Sequence, residues 1–174
     1  MNPDKKLTAA DLEDGSLLEA AITAFNNERT EEHLINILTI LRDSYVWIPC
    51  NAVMSEEDQK QFDAIAQKLK DDPDADPTEL ISMEFRTKGV TRMIPDILQN
   101  GDLYFFPVFS TVEAMGEYGH HFSKVQRHML EAISLAEHNE RELAGIVLNA
   151  FTEPFVLDSR IFGVVKKMNS RIAE

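Results

Sequence analysis

The stretch from Asn100 to Met115 constrains the fold more than any other part of the chain. Its first two residues, Asn100 and Gly101, predict a type I′ hairpin turn, because both residue types accept the positive φ angles that this turn requires. The aromatic and apolar run Leu103–Phe109 then predicts a buried strand. A helix start follows at once. Turn, strand and helix in this order predict the centre of a fold, but they supply no reactive group.

Apolar spacing along the rest of the chain predicts helices and strands without a strict strand–helix alternation. Ser16 with Glu19 predicts a capping box at the first helix. Helices are predicted from Ser16 and from Thr30, and over Ser55–Leu69, Ser110–Tyr118, Val125–His138 and Ser159–Met168. Strands are predicted over Tyr45–Ile48, Leu80–Arg86, Arg92–Leu98, Leu103–Phe109, Leu143–Leu148 and Phe155–Leu157. This order favours a single α+β domain, with a mixed β-sheet packed against several α-helices, over a doubly wound sheet.

The domain organisation follows from composition. Residues 1–15 are polar without a period and predict a loose N-terminal leader, residues 16–168 form the domain, and residues 169–174 are a C-terminal tail. Residues 55–78 predict a surface insertion, because their end carries several aspartates and two prolines, which cannot continue a helix.

Charge and cysteine content limit the function classes. The formal net charge of -13 disfavours nucleic acid and anionic membrane surfaces, because both bind through Lys and Arg. A single cysteine allows no intramolecular disulfide, and no apolar run approaches the roughly 20 residues that span a bilayer. We therefore expect a cytoplasmic protein that binds neither membrane nor nucleic acid.

No catalytic or metal-binding pattern emerges. Asp72, Asp74 and Asp76 match the first ligands of an EF-hand, but Pro77 replaces the required glycine and Met83 the bidentate glutamate. Glycine-rich phosphate-binding motifs are absent from the sequence. We expect no catalytic residue, no metal and no cofactor.

Two adjacent histidines and the single cysteine are further candidate functional residues. His120 and His121 are interpreted as surface or half-buried histidines that could titrate near neutrality and modulate an interface. Cys50 is interpreted as a small, partly buried thiol, because nothing near it in sequence supplies a base.

Ser110, Thr111 and Asn149 form the best candidate small-molecule site. Ser110 and Thr111 stand where the central strand passes into a helix, whose N-terminal amides can bind an anion. The alternative is that these hydroxyls only cap the helix. Asn149 ends another predicted strand and is expected to lie nearby.

Three segments carry a family resemblance. Tyr45–Pro49 reads Tyr-Val-Trp-Ile-Pro after a helix, and Leu103–Thr111 reads Leu-Tyr-Phe-Phe-Pro-Val-Phe-Ser-Thr. Gly145–Asn149 reads Gly-Ile-Val-Leu-Asn and precedes the short strand Phe155–Leu157. In this order and spacing they resemble the SseB N-terminal-domain family over residues 16–168.

The resemblance implies an α+β protein of the bacterial cytoplasm without an established catalytic activity, so no catalytic residues are carried over. Two departures fall in loops. Ala150 stands where a proline is expected after Asn149, and the acidic insertion before Leu80 is longer than expected.

Three functions remain open. A non-enzymatic protein-interaction or regulatory module, acting through its sheet face or an exposed helix on an unidentified partner, is favoured because no coherent catalytic set is present. A small-molecule sensor or enzyme using the pocket near Ser110, Thr111 and Asn149 is the alternative. A self-associating structural subunit is the third.

Overall fold

The computed structural model describes residues 6–172. The chain consists of two compact units. One unit combines Met1–Cys50 with Pro95–Glu174, and the other is Asn51–Ile94. The helices are α1 Ser16–Asn27, α2 Glu31–Asp43, α3 Glu56–Asp71, α4 Pro77–Glu84, α5 Met129–Glu137 and α6 Phe162–Lys167. The strands are β1 Tyr45–Val53, β2 Arg92–Pro95, β3 Leu98–Asn100, β4 Leu103–Val108, β5 Ser123–His128, β6 Gly145–Leu148 and β7 Phe155–Asp158. Short 3-10 helices cover Ala9–Leu12, Glu113–His121 and Ser159–Ile161.

The first unit contains a four-stranded mixed sheet in the order β3-β4-β6-β7. β4 and β6 are parallel, and the other two pairs are antiparallel. The expected α+β fold with a mixed sheet is therefore confirmed. The parallel register sets Val108 opposite Leu148, so β4 and β6 release the chain at the same edge of the sheet.

A second strand pair joins this sheet through one bridge. β1 pairs antiparallel with β5, from Tyr45 opposite His128 to Cys50 opposite Ser123. Trp47 and Phe109 then exchange backbone hydrogen bonds of 2.8 and 2.9 Å, so β1 also lies beside the chain that leaves β4.

The main core lies between the four-stranded sheet and the helices of the first unit. Alternate side chains of β4 and β6, Phe106 and Val108 with Ile146 and Leu148, point to this inner face and are buried. Helices α1, α2, α5 and α6 supply the opposing apolar stripes. The members of those stripes include Leu18, Ile22, Ile37, Leu41, Met129, Ile133 and Val165.

The second unit has a small aromatic contact and a buried carboxylate. Phe62 and Phe85 meet edge to face with ring centroids 5.5 Å apart. Asp58 is buried and accepts the backbone N–H of Lys88 at 2.7 Å and of Gly89 at 3.3 Å, which holds the pKa of its carboxyl below the usual value. The predicted insertion at residues 55–78 falls entirely within this unit.

The ends of the chain are more ordered than expected where the structure describes them. Residues 1–5 of the predicted leader and residues 173–174 of the predicted tail lie outside the described residues. Leu7 is buried and its N–H donates to Arg171 O at 2.7 Å, while Thr8 and Asp11 close a capping box. These local hydrogen bonds hold the segment in place, although its sequence has no helical period.

Two predicted elements were wrong in type. Most of the predicted strand Leu80–Arg86 lies in helix α4, which ends at Glu84, because Asp76 caps the N–H groups of Thr78 and Glu79 and Pro77 stands at the first helical position. The predicted helix Val125–His138 begins instead as strand β5, because the backbone of β1 pairs with it. Helix α5 starts only at Met129.

Several predicted boundaries also shift. The strand at Tyr45 continues through Pro49 to Val53, and Arg92–Leu98 divides into β2 and β3. At the hairpin, Gly101 alone has a positive φ, of 59°, so the turn follows the type II′ pattern and the predicted type I′ turn was wrong.

Two helix caps differ from the predictions. Gly15 is the N-cap residue of α1, so the predicted capping box of Ser16 with Glu19 does not form there. At the last helical segment Asp158, and not Ser159, caps the 3-10 turn. Between residues 6 and 172 no helix is long and apolar enough to cross a membrane.

Candidate functional site

The parallel strands β4 and β6 bring Ser110 and Asn149 into direct contact, and this contact lies at the edge where both strands end. The backbone N–H of Ser110 donates to Asn149 Oδ1 at 2.9 Å, and Asn149 Nδ2 donates to Ser110 Oγ at 2.9 Å. The Ser110 hydroxyl in turn donates to Glu19 Oε1 of α1 at 2.6 Å. Both residues are buried, so these bonds are shielded from water.

Asn149 holds an unusual backbone conformation. Its φ is 52°, and among the described residues it is the one non-glycine residue with a positive φ. Asparagine tolerates this left-handed region better than most residues. Its N–H donates to Val108 O at 3.0 Å, so the backbone turn closes directly on the end of β4. Asn149 therefore fixes the path of the chain where it leaves β6, because its backbone adopts this φ and its side chain makes two hydrogen bonds with Ser110.

Thr111 makes a local hydrogen bond one residue before Val112, the N-cap of the 3-10 helix. Its Oγ1 accepts the backbone N–H of Ala114 at 3.1 Å, at the start of the 3-10 helix Glu113–His121. Gly116 breaks that helix with a φ of 57°, so the continuous helix predicted over Ser110–Tyr118 does not form. This helix therefore has a short first segment.

A cavity of about 480 Å³ opens beside these residues. Thr111 and Asn149 line it, whereas Ser110 is buried and is not a lining residue. The cavity is bounded by α1, by the start of the 3-10 helix and by the loop after β6. The remaining lining residues are Glu19, Ile22, Thr23, Glu113, Ala114, Thr152 and Glu153.

Three carboxylates and no basic side chain line this cavity: Glu19, Glu113 and Glu153. Glu153 Oε2 accepts the hydroxyl of Thr23 at 2.6 Å, which fixes one wall. Negatively charged carboxylates repel an anion. The lining therefore disfavours the phosphate-like ligand that was expected at the helix N-terminus. It favours a cation. Glu19 and Glu153 could not be predicted as members of this site, because they belong to a helix and a loop that are distant along the chain from Ser110 and Thr111.

A second candidate surface is the outer face of the four-stranded sheet, opposite the helices. We use "outer face" for the side chains of Leu98, Leu103, Phe105, Val147, Phe151 and Val156. Alternation along the strands directs the five strand residues of this set away from the core, and Phe151 adjoins them from the loop after β6. Leu103, Phe151 and Val156 are 54%, 52% and 50% exposed. A groove of about 360 Å³ runs over this face.

Phe151 connects the outer face to an aromatic cluster. Its ring stacks on Phe109 at 6.0 Å between centroids and lies 4.9 Å from Tyr118. The Tyr118 hydroxyl donates to Asp96 Oδ2 at 2.5 Å. Burial, together with the negative charge and hydrogen bond of Asp96, raises the pKa of Tyr118 far above its usual value. This tyrosine is therefore held protonated as a structural donor.

The other singled-out residues do not assemble a reactive centre. Cys50 is buried, and burial raises the pKa of its thiol, although Arg127 opposes that shift. His120 and His121 are exposed at the end of the 3-10 helix. Asp76 caps α4. In the described part of the chain, no group of three or more His, Cys, Asp or Glu residues could hold a metal ion.

Comparison with known proteins gives one match. A family model described as the SseB protein N-terminal domain matches residues 18–160, which cover most of the chain. No curated protein and no solved structure matches the chain.

Proposed function

The chain belongs to the SseB N-terminal-domain family, and on that premise we propose that it is a non-enzymatic protein-interaction module of the bacterial cytoplasm. The observation that carries this proposal is the outer face of the four-stranded sheet. One face of that sheet is covered by helices, whereas three large apolar side chains on the other are about half exposed. Two of them, Phe151 and Val156, line one groove on this face, and exposed apolar surface that lies together marks protein-binding sites.

The energetics of the outer face support docking. Burying apolar surface contributes roughly 25 cal/mol per Å², so covering even a few half-exposed large side chains yields several kcal/mol before the costs of association. Phe105 and Val147 lie on strands that are paired on both sides. The rigid backbone beneath the face reduces the ordering cost of binding.

A matched pair of variants tests the proposed docking face. Val156→Lys places a charge on the outer face, whereas Val164→Lys adds the same charge on α6, where the valine is 56% exposed. We expect immobilised wild-type protein and Val164→Lys to retain a common set of proteins from a bacterial lysate, and Val156→Lys to lose them. Quantitative mass spectrometry measures the retained set. Equal retention by all three proteins would contradict docking at this face.

The acidic cavity favours a second candidate, a small-molecule sensor or enzyme that uses the pocket near Ser110, Thr111 and Asn149. Three carboxylates face about 480 Å³ of space without a basic partner among the lining residues, which suits an organic cation such as a protonated amine. Thr152 and the amide of Asn149 add polar groups that can orient a ligand. This candidate differs from the first in its location, since no residue lines both the cavity and the groove on the outer face.

A thermal-shift screen of amines and other metabolites tests the cavity. A ligand at about a hundredfold its dissociation constant stabilises a protein by roughly 2.7 kcal/mol, which raises the melting temperature measurably. We expect any cationic hit to lose its shift in Glu153→Gln, which removes one charge at an exposed position. Glu140→Gln, an exposed glutamate outside the cavity, should leave the shift intact. Equal shifts in both variants would contradict binding in this cavity.

A further inference from the structure

We propose that His128 is a pH-sensitive cap of helix α5, whose neutral imidazole holds the first turn of the helix and whose protonation releases that turn. His128 lines neither the acidic cavity nor the groove on the outer face, so this switch is independent of both proposed functions. Three features carry it, which are a hydrogen bond that only the neutral ring can make, the position of the ring at a helix N-terminus and the charged groups that face it.

His128 ends strand β5 and is the N-cap residue of α5. Its backbone is extended, and Met129 is the first residue of the helix. The Nδ1 atom of His128 accepts the backbone N–H of Leu130 at 3.2 Å. The first N–H groups of a helix have no acceptor within the helix, so a side-chain acceptor at the N-cap stabilises the first turn. His128 fills the position that serine, threonine, asparagine or aspartate usually takes.

Protonation removes this cap, because an imidazolium carries hydrogen on both ring nitrogens. The Nδ1 atom of His128 can then no longer accept the N–H of Leu130, and the two N–H groups face each other. The added positive charge also lies at the N-terminal end of the helix dipole, which favours negative charge. Both effects destabilise the first turn of α5.

The charged groups around the imidazole do not compensate for its protonation. Burial of the ring and the positive charge of Arg42 on α2 hold the pKa of His128 below its usual value. The negative charges of Asp43 on α2 and Glu131 on α5 oppose this shift. The buried Asp43 carboxylate already accepts Arg42 Nη1 at 2.5 Å and the backbone N–H of Arg171 at 2.8 Å, so both of its oxygens are engaged.

The remaining neighbours hold the ring beside the end of the helix. Tyr45 of β1 is the register partner of His128, and the two rings meet edge to face with centroids 5.2 Å apart. Arg127, the preceding residue of β5, pairs with Glu131 at 3.7 Å and so draws that carboxylate toward a different cation. The pairing of β1 with β5 therefore keeps the imidazole at the N-terminus of α5 in either protonation state.

The release is expected to be local and to occur on acidification. Met129 is fully buried, and its N–H donates to Ser44 O at 2.9 Å without using the imidazole, so this bond limits the opening to the turn that begins at Leu130. The folded-state pKa of His128 is lower than the usual histidine value of 6.5. The stabilisation by the cap is therefore present above that value and is lost as the pH falls below it toward the folded-state pKa.

Hydrogen exchange of the Leu130 amide, followed by NMR on the full chain, tests the switch. Between about pH 7.5 and about pH 5, and after correction for the intrinsic pH dependence of exchange, we expect its protection factor to fall at least about threefold, as for the loss of one N-cap. His128→Asn keeps a cap acceptor that does not titrate, so its Leu130 protection should stay constant. His138→Asn, at the exposed other end of α5, is the matched control and should behave as the wild type.

The titration of the imidazole gives a second measurement that needs no variant. We expect the ring resonances of His128 in the wild type to titrate with a midpoint below 6.5, and the loss of Leu130 protection to follow the same midpoint. Protection that stays constant while the ring titrates would overturn the proposal. An equal loss of protection in His128→Asn would do so as well, because another group would then be responsible. If His128→Asn does not fold, the two wild-type curves still decide, since the switch requires them to coincide.

Discussion

Replacing Asn149 with alanine is expected to lower the free energy of unfolding by about 3 kcal/mol. The substitution leaves the buried N–H of Ser110 without its acceptor, which costs roughly 1–3 kcal/mol. It also forces alanine into a φ of 52°, a left-handed conformation that costs a residue with a Cβ about 1–2 kcal/mol. Urea unfolding monitored by circular dichroism measures the change.

Two further variants separate these contributions. Asn149→Gly loses the same hydrogen bonds but has no steric penalty at positive φ, so it should be about 1 kcal/mol more stable than Asn149→Ala. Asn100→Ala replaces an exposed asparagine at the hairpin, where φ is not positive, and should change stability by less than about 0.5 kcal/mol. Wild-type stability in Asn149→Ala would show that this contact does not hold the strand edge.

The sequence was sufficient to predict that Ser110 and Asn149 are neighbours, because each follows an apolar strand. The structure supplies the reason: β4 and β6 are parallel, so their carboxyl ends coincide. The charge of the adjacent cavity could not be predicted in the same way. Glu19 was assigned to a capping box with Ser16, and its actual hydrogen bond spans 91 positions to Ser110. A local pattern carries no information about such a contact.

The two secondary-structure predictions that were wrong in type have different causes. Ser123–His128 has no strong strand period, and it becomes β5 because β1 offers it a paired edge. Leu80 and Ile81 are apolar enough for a strand, yet Asp76 and Pro77 start a helix before them. In the first case tertiary pairing overrides local propensity, and in the second a helix start signal was read as part of a loop.

The outer face illustrates a further limit of sequence reasoning. The run Leu103–Phe109 was expected to be interior scaffolding, and alternation along β4 divides it between two faces. Phe106 and Val108 are buried among helices, whereas Leu103 remains more than half exposed. An apolar run predicts a strand but does not tell which of its faces another element covers. Because one face of β4 is not covered by helices, the strand contributes to the core on one side and to a candidate docking surface on the other.

Replacing Gly145 with alanine is expected to destabilise the protein by about 3 kcal/mol, whereas the same change at Gly163 should be neutral or stabilise it by about 0.5 kcal/mol. An added Cβ at Gly145 would lie 2.3 Å from Leu157 O, 3.1 Å from Leu157 C and 3.2 Å from Asp158 Cα. All three are backbone atoms of β7. The strain can be relieved only by separating β6 from β7, which weakens their hydrogen bonds.

Gly163 provides the matched control for that substitution. It lies near the start of α6, and no neighbouring atom comes within 4 Å of an added Cβ. Alanine has the higher helix propensity and reduces the freedom of the unfolded chain, so the expected sign is reversed. Urea unfolding of both variants, with unchanged m-values, measures the two effects. Similar stabilities of the two variants would mean that β6 and β7 are not packed as closely as the four-stranded sheet requires, and the outer face that depends on their register would lose its basis.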